Sequence, residues 1–116
     1  MKQIATVIFI LLAASAAQAA APSAARGKQV YMANGCWTCH GTVGQGSFTG
    51  LKLVPEPLPL DAMITFIRGS TGPMPAYSAD GMPDADIADI HAYLSSVPKS
   101  PTADSIPILR DLKPGK

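Results

Sequence analysis

Cys36-Trp37-Thr38-Cys39-His40 is the stretch on which the reading of this sequence turns. Its two thiols are the chain's only cysteines, three positions apart, and an imidazole follows the second directly. Three chemistries use paired cysteines at close spacing without a bound macrocycle. A structural disulfide here closes so small a loop that it adds little chain-entropy stabilisation. A thioredoxin-like dithiol expects a strand–helix setting, and no alternating strand pattern is found past residue 19. A zinc site needs further ligands, yet the chain has one other histidine, His91, and no second cysteine pair.

Cys-x-x-Cys followed by His is the attachment signature of haem c. Two thiols add across the two vinyl groups of the porphyrin, forming thioethers along one edge of the ring. A short helical turn holds both sulfurs at that edge and brings the next side chain, an imidazole, beneath the iron. Covalent attachment prevents loss of the cofactor and, by linkage, helps a small core to fold. The expected cofactor is one haem c with its iron, bound through Cys36 and Cys39 and ligated by His40. Gly41, Gly44, Gly46 and Gly50 follow within ten residues, where glycine lets backbone approach a ligand.

Outward from the motif the pattern is helical. Gly27 to Asn34 reads as a helix, with Val30, Tyr31 and Asn34 at helical spacing and Gly35 as its stop. Gly27 and Tyr31 share a face, and glycine there admits a second helix at close range. Past the motif, Pro55, Pro57 and Pro59 break regular structure. Asp61 is the expected N-cap of a short helix, Ala62 to Arg68, with Met63, Phe66 and Ile67 on one side. Gly69 to Pro75 is a loop around Met74, and Asp80-Gly81 marks a turn. The last helix opens at Pro83, with Asp84 and Asp86 in its first turn and Ile87, Ile90, Leu94 and Val97 as its apolar stripe. Pro98 ends it, and Lys99 to Lys116, with Pro101, Pro107 and Pro114, reads as an irregular tail.

The N-terminus is expected to be an export signal. Lys2 supplies its positive end, Ile4 to Ala17 an uncharged apolar run, and Ala17-Gln18-Ala19 the small residues of a cleavage site. Cleavage is expected after Ala19, with Ala21 as the alternative; the run falls short of the roughly 20 residues of a spanning helix. The resulting division is a signal peptide over 1–19, a haem domain over 20–98 and a tail over 99–116, with the mature protein in the periplasm. Loss of the signal removes one basic residue and leaves eight basic against eight acidic. No strong field points to nucleic acid or an anionic membrane.

Several elements in shared order resemble a class I c-type cytochrome of the small bacterial monohaem kind. Gly27 and Tyr31 precede the attachment motif, and Thr49-Gly50-Leu51-Lys52-Leu53 stands at the family's loop position. Gly72-Pro73-Met74-Pro75-Ala76-Tyr77 resembles the distal-ligand segment, and Tyr93-Leu94 the aromatic–Leu pair of the final helix. The resemblance implies an all-α fold of three to four helices around one covalent haem, with His40 as proximal and Met74 as distal ligand. A thioether suits low-spin haem iron, and flanking prolines would hold it rigidly. One departure is Leu51, where the family often has a proline whose carbonyl accepts from the proximal imidazole. The contact uses a backbone oxygen, so Leu51 can still serve.

The remaining polar residues have plainer readings. Trp37 is expected to lie partly exposed beside the haem edge and His91 on the surface. Tyr77 and Arg68 either reach a haem propionate or are, respectively, a packing ring and a solvated side chain. Asp84, Asp86 and Asp89 read as a solvated face. Because a six-coordinate haem has no open site for substrate, the expected function is electron transfer rather than enzyme catalysis. Its partners are a redox donor and acceptor, such as a periplasmic dehydrogenase with which the chain associates as cytochrome subunit. The alternative is a gas-binding sensor or peroxidase-like haem with a displaceable Met74. Ile106, Pro107, Ile108 and Leu109 lie beyond the family core and either pack on it or face a partner.

Overall fold

The computed structural model describes residues 20–110, so the expected export signal lies outside the described residues. Five helices follow in order: α1 Ala24–Ala33, α2 Cys36–His40, α3 Leu60–Gly69, α4 Asp84–Ser95 and α5 Pro107–Arg110, with a 3-10 turn at Ala103–Ser105 before the last. Among the described residues there is no strand, and the fold is the expected small all-α one.

Helix α1 starts three residues earlier than its apolar spacing suggests, because Ser23 caps it. The Ser23 hydroxyl accepts from the Arg26 N–H at 3.3 Å, satisfying a donor the helix cannot. At its other end Asn34 N–H bonds the Val30 carbonyl at 3.0 Å, and Gly35 turns left-handed at φ +72° before α2 begins. Helix α3 opens at Leu60 with Pro59 in the cap position, so Asp61 is not the N-cap but sits inside the first turn. There its carboxylate faces the positive end of the macrodipole, while Met63 N–H bonds the Pro59 carbonyl at 2.9 Å. Helix α4 follows Pro83, which caps it, and stops at Ser95, three residues before Pro98. The Ser96 hydroxyl donates to the Tyr93 carbonyl at 2.6 Å and closes that end.

The main packing is α1 against α4, with α3 leaning on α4. Gly27 is where the first pair touches: a Cβ there would overlap the Asp89 carbonyl and stand 2.8 Å from the Ile90 nitrogen. Tyr31 and Tyr93 meet edge to face across the crossing, with ring centroids 5.6 Å apart, a preferred aromatic geometry. Ile87, Ile90 and Leu94 are buried in the same core with Val54, Ile67 and Met82. Val97, the last residue of the expected stripe, is half-buried.

Two further expectations need correction. Asp89 is not on a solvated face; it is 5% exposed. Its carboxylate accepts from the Ser23 N–H at 2.6 Å and pairs with Arg26 at 3.4 Å, tying the entry of α1 to the middle of α4. Asp86 also pairs with Arg26, and Asp84 with Arg68. The tail is not wholly irregular either. Pro107 opens α5, as a residue with fixed φ and no N–H to satisfy suits a first helical position.

Candidate functional site

Helix α2 is five residues long, yet it is held on both sides. The Thr38 hydroxyl donates to the Gly35 carbonyl at 2.6 Å. The Ser47 hydroxyl donates to the Cys39 carbonyl, and Gly50 packs so closely against Cys39 that a Cβ would overlap its carbonyl oxygen. The helix crossing reaches the same place. Tyr31 donates its hydroxyl to the Gly41 carbonyl at 2.7 Å and Tyr93 to that of Thr42 at 2.9 Å. Burial pushes the Tyr31 phenol far above the ordinary tyrosine value, so it serves as a neutral donor. The two tyrosines therefore fix the backbone just after His40 to the packed core.

Cys36 is half-buried and Cys39 exposed, and the two are not joined in a disulfide. Burial also pushes the Cys36 thiol upward, favouring its neutral form. Trp37, between them on α2, is 43% exposed, in keeping with the partial exposure expected of it.

His40 Nδ1 lies 2.7 Å from the Leu51 carbonyl. A carbonyl only accepts, so this contact puts the proton on Nδ1 and leaves the Nε2 lone pair free. The missing proline is thus no loss, because the backbone oxygen at Leu51 makes the bond.

All of this opens onto one apolar crevice of about 710 Å³, within the roughly 300–1,000 Å³ typical of cofactor clefts. Cys36, Cys39 and His40 line it, and so does Met74. Met74 sits in the α3–α4 connection, half-buried, with its carbonyl accepting from the Ser70 hydroxyl at 2.7 Å. Pro57, Leu58, Met63 and Phe66 complete a wall with little polar lining. Among the described residues, no buried side-chain polar atom lacks a hydrogen-bond partner. A flat, apolar, covalently held macrocycle fits this donor set: two thiols, an imidazole with one free nitrogen and a soft thioether.

Other sequence expectations fall differently. Arg68 is engaged by protein: it donates to the Tyr77 carbonyl at 3.0 Å and the Met82 carbonyl at 2.7 Å, besides pairing with Asp84. Tyr77 donates its hydroxyl to the Asn34 carbonyl at 3.1 Å. His91 lies on α4 and is not among the crevice residues. Sequence reasoning did not single out Ser47, Ser70 or Met82. The two serines carry no signal beyond lying in loops, and Met82, 1% exposed, is masked by its turn-like setting. Lys99 and Glu56 form an ion pair at 2.9 Å between the start of the tail and the crevice rim.

Among the described residues, no group of three or more His, Cys, Asp or Glu is arranged to hold a bare metal ion. No described helix is long and apolar enough to cross a membrane.

A family model described as cytochrome c oxidase, cbb3-type, subunit III matches residues 22–94. Neither the curated proteins nor the solved structures give a match. The matched stretch runs from the residue before the Ser23 cap to Leu94 in the core, and so takes in the whole crevice and leaves out the tail. It identifies a c-type cytochrome domain, a broader assignment than the small monohaem class I group. With haem c held covalently through two thioethers as its cofactor, the chain belongs to the cbb3-type cytochrome c oxidase subunit III family.

Proposed function

We propose that this chain is a periplasmic one-electron carrier whose haem c is attached at Cys36 and Cys39 and ligated by His40 and Met74. The observation that carries the reading is the His40–Leu51 contact inside the shared crevice. It orients the imidazole, fixes its tautomer and presents Nε2 to the space that Met74 also lines. When bound, the haem supplies a one-electron couple, and His/Met ligation favours a high potential. The protein's part is to hold both ligands and exclude water. The tyrosine bonds and the Ser47–Cys39 contact fix the His40 side, and the Ser70–Met74 bond curls the Met74 loop.

Electrons are exchanged with other redox proteins. The family description names an oxidase subunit, which supports a place within or beside a larger redox complex; a periplasmic dehydrogenase is the other partner class. The tail supports a docked state: Ile108 is 77% exposed, so this apolar segment is not consumed by the core.

An optical spectrum of purified protein with its intact mass tests the assignment. One covalent haem, the weak long-wavelength band of iron–Met coordination when oxidised, and no carbon monoxide binding when reduced are expected. Ready binding of carbon monoxide by the wild type would instead establish the gas-binding or peroxidase-like reading.

A further inference from the structure

Residues 70–77, the segment that carries Met74, have no regular secondary structure, yet a bond within the segment curls it and two more fasten its Tyr77 end to α3. Ser70 Oγ donates to the Met74 carbonyl, Tyr77 N–H to the Ile67 carbonyl at 3.0 Å, and Arg68 to the Tyr77 carbonyl. These bonds shape the loop but do not decide where it stands relative to the attachment helix. Among the described residues, one hydrogen bond crosses to that side: Tyr77 hydroxyl to Asn34 carbonyl, between residues 43 apart in sequence. The acceptor is a firm point. Asn34 is the C-cap of α1, and both its N–H and its side-chain amide bond the Val30 carbonyl, at 3.0 and 2.9 Å. It stands two residues before Cys36, while Tyr77 stands three after Met74. Both residues line the crevice.

We propose that Tyr77 is a positioning residue for Met74: its hydroxyl, bonded to the Asn34 carbonyl, clasps the Met74 loop to the cysteine-bearing segment and so resists displacement of the thioether from the iron. This rests on the His40/Met74 ligation proposed above. A hydrogen bond made by the closed crevice and lost when the loop swings out stabilises the closed form alone. An external ligand that must displace Met74 binds against that difference. The half-buried ring of Tyr77, packed against the core, carries the hydroxyl to its acceptor with little freedom to lose.

The test uses the oxidised holoprotein and imidazole as the competing ligand. Tyr77→Phe keeps the ring and removes only the hydroxyl. The net value of one such bond predicts about 2- to 10-fold tighter imidazole binding than wild type, with the long-wavelength band still present before imidazole is added. Ile87→Val thins the core away from the crevice lining and serves as a comparison of similar thermal destabilisation; it is expected to bind imidazole as wild type does. Unchanged binding by Tyr77→Phe overturns the clasp, as does an equal gain in Ile87→Val. The parent ligation has its own readout: a wild type without the band, whose imidazole affinity does not respond to Met74→Ala, overturns that reading and the clasp with it. A wild type with the band and a Tyr77→Phe variant of unchanged affinity overturns the clasp alone.

Discussion

Replacing Gly27 by alanine is expected to be among the most damaging single-methyl changes available in this fold. Two effects oppose each other. In a helix interior, Gly→Ala gains about 1 kcal/mol of helix propensity. Against it, the new Cβ would overlap the Asp89 carbonyl and crowd the Ile90 nitrogen of α4. These are backbone atoms of a packed helix, so no side chain can rotate aside to make room. The helices must separate, and the Ser23–Asp89 bond, the Arg26–Asp89 pair and the Tyr31–Tyr93 contact all span that gap. Overpacking alone typically costs about 1–3 kcal/mol, and these losses add to it. A net loss of about 3 kcal/mol follows, which in a domain of this size lowers the melting temperature by roughly 12–24 °C.

Gly69→Ala is the matched comparison. Gly69 is also helical, has no positive φ, and a Cβ there meets nothing within 4 Å, so a gain of about 0.4–1 kcal/mol is expected. Thermal unfolding of both oxidised holoproteins by far-ultraviolet circular dichroism decides the matter. A Gly27→Ala protein melting within about 4 °C of wild type, alongside a normal Gly69→Ala, would refute the close approach as the basis of the crossing.

Leu51→Ala should leave the orientation of His40 unchanged, because that contact uses the backbone carbonyl; a marked spectral shift would assign the Leu51 side chain, which lines the crevice, a role of its own. Met74→Ala should keep the fold, lose the long-wavelength band and gain carbon monoxide binding when reduced; a retained band would move the distal ligand elsewhere. Truncation after Pro98 should weaken reduction by a partner dehydrogenase, or transfer to an oxidase, without altering the spectrum; undiminished rates would remove the tail from docking.

The attachment motif was legible because its chemistry fixes a short spacing, and helices α1 and α4 because apolar periodicity and terminal residues agree about them. The His40–Leu51 bond was legible in role, since a carbonyl is available at every residue whatever its side chain. What escaped was non-local. Asp89 looks like its neighbours Asp84 and Asp86 in sequence, and only the approach of Ser23, 66 residues away, buries it. Arg68 and Tyr77 carry groups equally suited to a propionate or a peptide carbonyl; tertiary placement makes the choice, and here it is the peptide. Ser47 and Ser70 belong to the same class, because a loop hydroxyl gives no hint of its acceptor until the chain has folded.

The cofactor is a part of this core rather than an addition to it. Among the described residues, five of the eight buried apolar ones, Tyr31, Ile67, Met82, Ile90 and Leu94, also border the crevice, so one side of the core faces the space the macrocycle takes. Without it, water meets an apolar wall in a chain whose core is already small. Tyr31 joins both regions, meeting Tyr93 edge to face in the helix crossing and bonding Gly41 beside His40. Loss of haem should therefore loosen the α1–α4 crossing as well as the crevice loops. The Cys36→Ser/Cys39→Ser double variant, which cannot form thioethers, is expected to retain helical far-ultraviolet signal while losing near-ultraviolet aromatic signal and a cooperative melt. A sharp melt with native tyrosine signal in that haem-free protein would show that the helices pack independently, and the crevice would then be a preformed cleft rather than an unfinished core.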